Sequence, residues 1–185
     1  MNKKFPSKWK VVQDNIHADC RIFDVHRKKM LRDSDQKQGE FFVIETNDWV
    51  NVLPITEDNE IILVRQFRYG TKKFSLEPPG GVVENGEDPI LAGQRELLEE
   101  TGYSGKDPKI IGTVFPNSAI MANRCYFLLI SDVKKTSEVS FDPHEELQTE
   151  KIEINRLKEL VHSGEISHSI GVNAIFHLLI ELGMA

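Results

Sequence analysis

Six acids, Glu84, Glu87, Asp88, Glu96, Glu99 and Glu100, crowd one base, Arg95, within PGGVVENGEDPILAGQRELLEETGY, residues 79–103. Asp88 suits a helix N-cap, Pro89 the first helical position and Gly102 the residue after a C-terminus, so a helix over 89–101 is expected. On it Glu96, Glu99 and Glu100 stand at i, i+3 and i+4 and share one face. Like charges so spaced cost about 0.2–0.5 kcal/mol per pair in an isolated helix. A hard divalent cation, which seeks carboxylate oxygen, turns that repulsion into coordination. Leu91, Leu97 and Leu98 are offered for packing. Ahead of the helix, Pro78-Pro79-Gly80-Gly81 pairs a stiff turn with two residues lacking side chains, so backbone carbonyls can approach a metal or phosphate.

Taken alone, E-x-x-E-E is usually a solvated helix face. The longer spacing is specific: Gly81, five residues, Glu87, seven residues, then Arg95-Glu96-Leu97-x-Glu99-Glu100-x-Gly102-Tyr103. It resembles the Nudix box at each fixed letter, with Tyr103 where an aliphatic residue is usual. The resemblance implies a Nudix fold, an α/β/α sandwich with a mixed sheet, and Mg²⁺ (Mn²⁺ as a substitute) held by Glu96, Glu99, Glu100 and the Gly80 carbonyl. Gly81, Glu87, Arg95 and Gly102 then have structural roles, with Arg95 bracing the glutamates.

Outside the box, Arg65-Gln66-Phe67-Arg68 is similar to a run in ADP-ribose and nucleotide-sugar pyrophosphatases whose last Arg contacts substrate phosphate, which maps to Arg68. A guanidinium fork suits a diphosphate. Arg65, three residues away, points to the other strand face and reads as a surface salt bridge. Glu77 matches a family Glu that contacts ligand or metal-bound water. The resemblance also implies a catalytic glutamate beyond the box: Glu145, with Glu146 and the box residue Glu99 as alternatives. Trp9 and Trp49 are candidates for stacking on a base, against a core or interface role, and Asn123 and Arg124 for ligand contact, against a role at a strand start. Pro116-Asn117-Ser118-Ala119 departs from the ADP-ribose pattern and widens the expected substrate to nucleoside diphosphate sugars.

The elements that must position these residues follow in order. Residues 8–13 and 20–29 carry short β-like runs, as do 41–44 and 49–53, the last two split by Asn47-Asp48. Residues 1–50 are expected to form a small antiparallel sheet that, by resemblance, makes a homodimer; 51–185 form the hydrolase domain. Strands are expected at 61–68, 109–115, 124–130 and up to Ile154, with loops at 106–108, 116–123 and 131–143. Asn155 caps a helix ending at Gly164, and Ser167 or Ser169 opens a last one with Ile170, Ala174, Ile175, Leu178 and Leu179 at helical spacing. The six histidines have no metal-ligand spacing and read as structural or solvent-facing.

At 185 residues the chain fits one domain with an extension. A net charge of −6 without a basic block argues against nucleic acid. No apolar run is long enough for a membrane span, and the lysine-bearing start has no apolar export core. Two distant cysteines then read as reduced thiols in the cytoplasm. The expected activity is Mg²⁺-dependent hydrolysis of ADP-ribose or another nucleoside diphosphate sugar to a nucleoside monophosphate and a sugar phosphate. Its rivals are another nucleotide substrate (a nucleoside triphosphate, dinucleotide or capped RNA) and a non-catalytic nucleotide sensor.

Overall fold

The computed structural model describes residues 5–141 and 146–185, which fall into two compact units. The first holds β1 (Trp9–Asp19), β2 (Asp24–Arg32) and β3 (Gln38–Glu45), an antiparallel sheet in that order, together with residues 117–123. Met121 bridges to Ile44, whose N–H donates to the Ile120 carbonyl at 2.7 Å. Within this sheet His26, read from sequence as structural or solvent-facing, sits 2.7 Å from Asp14 and 3.5 Å from Glu45. Lys28 closes on both carboxylates, so the cluster carries its own cation.

The second unit is the α/β part. Strand β4 (Trp49–Pro54) pairs in parallel with β9 (Cys125–Lys135) and antiparallel with β7 (Gly80–Val82). With β8 (Tyr103–Val114) they form a mixed sheet ordered β7-β4-β9-β8. A second sheet, β10-β5-β6, joins β10 (Leu147–Glu153), β5 (Glu60–Arg68) and β6 (Lys73–Glu77). Both faces of β4 are buried: Val50 and Val52 pack in one core with Ile62 and Leu97, and Leu53 in another with Ile175 and Leu178. Fully buried strands need continuous apolar runs, which is why Trp49–Leu53 and Ile61–Val64 lack clean alternation.

Helix α1 (Pro89–Thr101) begins and ends where its capping residues dictate. Asp88 accepts from the Ile90 N–H at 2.7 Å, and Gly102, at φ 72°, takes the left-handed turn and donates to the Leu98 carbonyl. Of the three leucines offered for packing, Leu97 alone is buried; Leu91 and Leu98 are exposed. The helix turns Leu97 and Glu100, three residues apart, toward the sheets, so Leu91 and Leu98 fall on the outer side.

Three further expectations change. Residues 131–135, expected as the start of a loop, continue β9 as far as Lys135, paired with β8. Lys106-Asp107-Pro108 is not a loop: it lies inside β8, where the register with β9 shifts between Lys106 and Lys109 and Asp107 has φ 50°. A bulge absorbs the residues that read as turn-forming. Asn155 is not a cap but part of a 3₁₀ turn, Ile154–Arg156, that leads into α2 (Leu157–Ser163). Helix α3 (Ser169–Glu181) buries Ile170, Ala174, Ile175, Leu178 and Leu179 as its spacing requires. No helix among the described residues is long and apolar enough to cross a membrane.

Candidate active site

The acid cluster and the glycine strand meet. An ideal Cβ on Gly81 would lie 2.5 Å from the Glu96 carboxyl carbon, so the Glu96 carboxylate rests against β7 only because that position has no side chain. One residue earlier, the Gly80 N–H donates to Glu100 Oε2 at 2.9 Å, and Glu100 is buried. The glycine pair thus holds the backbone against two of the three acids read as metal ligands.

Arg95 sits at the centre of the rest. Its Nε and Nη2 donate to Glu87 at 3.1 and 3.2 Å, and its Nη1 to Glu96 at 2.7 Å and Glu99 at 3.1 Å. Nη2 also donates to the Val82 carbonyl at 3.1 Å, tying α1 to β7. Hydrogen bonds from Arg95, and one from the Glu84 N–H, hold the Glu87 carboxyl below its usual range. The same carboxylates push the guanidinium further up. The Arg95 guanidinium therefore faces Glu87, Glu96 and Glu99, with Glu100 beside them. Glu99 and Glu100 also occupy the last turn of α1, where the helix dipole disfavours negative charge. Excess carboxylate against both local charge and helix dipole is the donor set a hard divalent cation satisfies.

A cavity of about 260 Å³ opens beside this cluster, lined by Trp49, Val50, Asn51, Arg68, Gly80, Gly81, Val82, His168 and Ile170. Arg68 donates to Glu77 in a fork, Nε to Oε1 at 3.0 Å and Nη2 to Oε2 at 2.6 Å. Glu77 is fully buried. Burial pushes its carboxyl up, but contacts from His168 and Arg68 outweigh that and hold it at about 2. Arg65 turns away to Glu150 (2.5 Å) and Glu165 (2.7 Å). A second cavity of about 530 Å³ shares Arg68 and is lined by Phe67, Tyr69, Phe74 and Glu146 among others.

The sequence-derived candidates distribute as follows. Gly80, Gly81, Arg68, Trp49 and Glu77 are at or directly behind the smaller cavity, Glu96 and Glu100 border its glycine wall, and Glu99 joins them through Arg95. Glu146 is exposed on the larger cavity, and Glu145 lies outside the described residues. The Arg124 N–H donates to Asp48 at 2.7 Å, and Tyr126 and Asp48 raise its guanidinium. Trp9 belongs to the N-terminal sheet, edge-on to Phe41 and under Arg32. Sequence reasoning missed His168. Its ring lines the smaller cavity, and Nδ1 lies 2.7 Å from Glu77 Oε2, although the ring N–H is not aimed along that line.

A mixed sheet whose glycine edge strand abuts a glutamate-faced helix, beside a cavity that Arg68 lines, is an α/β arrangement with donors suited to a hard cation and to an anionic ligand. The comparisons with known proteins give the family. A NUDIX domain model matches residues 46–168, and the chain belongs to the Nudix hydrolase family. It is 31% identical over 134 residues to an ADP-ribose pyrophosphatase of Bacillus subtilis, covering 71% of this chain and 72% of that protein. An ADP-ribose pyrophosphatase of Saccharomyces cerevisiae is 47% identical over 110 residues, covering 53% of this chain and 47% of the yeast protein. A solved structure described as an ADP compounds hydrolase shares the fold at TM-score 0.85 and 21% identity, covering 98% of this chain and all of that one.

Proposed function

We propose that this chain hydrolyses the diphosphate linkage of ADP-ribose or a related nucleoside diphosphate sugar, giving a nucleoside monophosphate and a sugar phosphate. The observation that carries this reading is one cavity lined both by Arg68 and by Gly80-Gly81, the glycines against which Glu96 and Glu100 of the acid face lie. A diphosphate needs both, because its charge must be neutralised and its orientation fixed. The Bacillus and yeast relatives, both ADP-ribose pyrophosphatases, support the same substrate class.

Glu96, Glu99, Glu100 and the Gly80 carbonyl would hold Mg²⁺, with Mn²⁺ as a substitute; bound there, the ion supplies charge neutralisation and acidifies water. Arg95 and Glu87 brace these carboxylates, and Arg68 orients the diphosphate. Trp49 offers an aromatic face for the base. A glutamate takes the proton of the attacking water: Glu145, with Glu146 and Glu99 as alternatives. No covalent intermediate with the protein is needed, since phosphoryl transfer depends on positioning and electrostatics. The N-terminal sheet expected over residues 1–50, whose strands β1 to β3 end at Glu45, serves for dimerisation, and the hydrolase domain expected over 51–185 takes in β4 from Trp49. The apolar groups exposed on that sheet (Val11, Val12, Ile16, Phe41 and Phe42) support pairing with a second copy.

The test is product identification from ADP-ribose, ADP-glucose, GDP-mannose, a UDP-sugar and ATP, with Mg²⁺ and with chelator. Metal-dependent release of a nucleoside monophosphate from a sugar substrate is the expected result. Cleavage of ATP alone overturns the sugar assignment, and binding without turnover overturns catalysis. Glu100→Gln should lose most turnover; a rate within a few-fold of wild type would remove Glu100 from the ligand set.

A further inference from the structure

We infer that His168 is a positioning residue for the substrate diphosphate, acting through the buried carboxylate of Glu77 to set the guanidinium of Arg68. This rests on the diphosphate reading above and extends it to a residue that the box and the Arg65–Arg68 run do not contain.

Three observations converge on His168. It occupies the N-cap of α3 yet makes no side-chain capping bond, although Ser167 and Ser169 on either side are better capping residues. Helix stability therefore does not account for a histidine there. Its ring instead turns to the cavity that Arg68, Gly80 and Gly81 line. Its Nδ1 comes within 2.7 Å of Glu77 Oε2, the same oxygen that accepts from Arg68 Nη2 at 2.6 Å. Two nitrogens thus converge on one carboxylate oxygen.

The consequence lies at Arg68. Glu77 has no exposure, so solvent cannot screen its charge, whereas the Arg68 side chain is 42% exposed. A buried carboxylate draws its strongest compensation from whatever donors reach it. A small turn of the His168 ring would bring its N–H onto Oε2, so that Arg68 carries only part of that demand and keeps its reach into the cavity. Without His168, Glu77 leans on Arg68 more strongly and pulls the guanidinium inward. The loss falls on binding of the phosphates rather than on the chemical step.

The test uses the full chain with His168→Phe, which keeps a ring but has no donor, and His168→Gln, whose amide can reach the carboxylate. Melting temperatures of both check folding. With ADP-ribose and Mg²⁺, His168→Phe should raise KM about ten-fold and change kcat less than three-fold, while His168→Gln recovers most of the KM. In an Arg68→Ala background, His168→Phe should cost nothing further, as residues acting through one another are not additive. Calorimetric binding of ADP without metal reads the same contact independently of turnover. Weaker ADP binding by His168→Phe supports the inference even if wild type fails to cleave ADP-ribose, which would refute only the substrate reading. Equal ADP binding by wild type and His168→Phe, or effects of Arg68→Ala and His168→Phe that multiply, overturns it.

Discussion

Replacing Arg95 with methionine removes the charge but keeps an unbranched stem in its place. The substitution leaves Glu87, Glu96 and Glu99 without their shared guanidinium and the Val82 carbonyl without that donor. Breaking a fully buried ion pair costs about 3–5 kcal/mol, and breaking an exposed one about 0.2–1 kcal/mol. Arg95 is 33% exposed, Glu87 18%, Glu96 16% and Glu99 44%, so the site lies between those limits. Two largely sheltered carboxylates and one half-exposed one place the loss at about 3 kcal/mol in chelator. For a domain of this size each kcal/mol lowers Tm by about 2–4 °C, so the expected fall is about 6–12 °C. Saturating Mg²⁺ should recover about half of it, because a cation on the carboxylates replaces part of the lost charge and binds only the folded chain. The assay is thermal unfolding followed by circular dichroism, in chelator and in excess Mg²⁺. A fall below 2 °C in chelator would refute the bracing role. Equal falls with and without Mg²⁺ would refute the coupling of Arg95 to a cation site.

Gly81→Ala should drive the Glu96 carboxyl off its present position, since the new Cβ would sit 2.5 Å from it. The far end of a flexible side chain yields, so Tm should stay within a few degrees while Mg²⁺ affinity, measured by calorimetry, falls at least ~10-fold. Burial pushes the Cys125 thiol up to about 12, whereas Cys20 is exposed. A thiol reagent at pH 8 should therefore titrate one cysteine in the native protein and two after denaturation. The Glu77 carboxyl falls from 4.5 to about 2 on folding, so its contribution to stability is complete above 4.5 and is lost as pH drops toward 2. Urea unfolding of wild type and Glu77→Gln should show a constant gap above pH 5 that narrows steadily below 4.5; a gap widening with acid would contradict the pairing with Arg68 and His168.

How much of this was legible in the sequence depends on whether the partner was near in the chain. The α1 boundaries were readable because Asp88, Pro89 and Gly102 each act within a turn of their own position. The acid face was readable because helical spacing alone brings Glu96, Glu99 and Glu100 together. Leu91 and Leu98 misled because apolar character does not say which side of α1 faces the sheets, and the approach of Gly81 to Glu96 decides that. The parallel pairing of β4 with β9 joins residues more than seventy positions apart and leaves no local mark. Lys106-Asp107-Pro108 has the composition of a turn, and only the register against β9 shows it as a bulge.

Glu77 and His168 illustrate the limit most sharply. Glu77 ends a strand and His168 precedes a helix, ninety-one positions later, with no motif linking them. Their meeting follows from packing: α3 buries its apolar face on the core that Leu53, Leu63 and Leu76 line, and that brings its N-terminus to Glu77. A fully buried carboxylate at that point requires compensating charge, and the fold supplies it from β5 and from the start of α3 together. The glycine wall and acid face come from one continuous stretch, residues 80–100, whereas the arginine wall is assembled from three separate elements. The stretch that would hold a cation is thus local and recognisable by spacing. The part that would orient the diphosphate, and so discriminate among substrates, is non-local and becomes visible only once the sheets and α3 are packed.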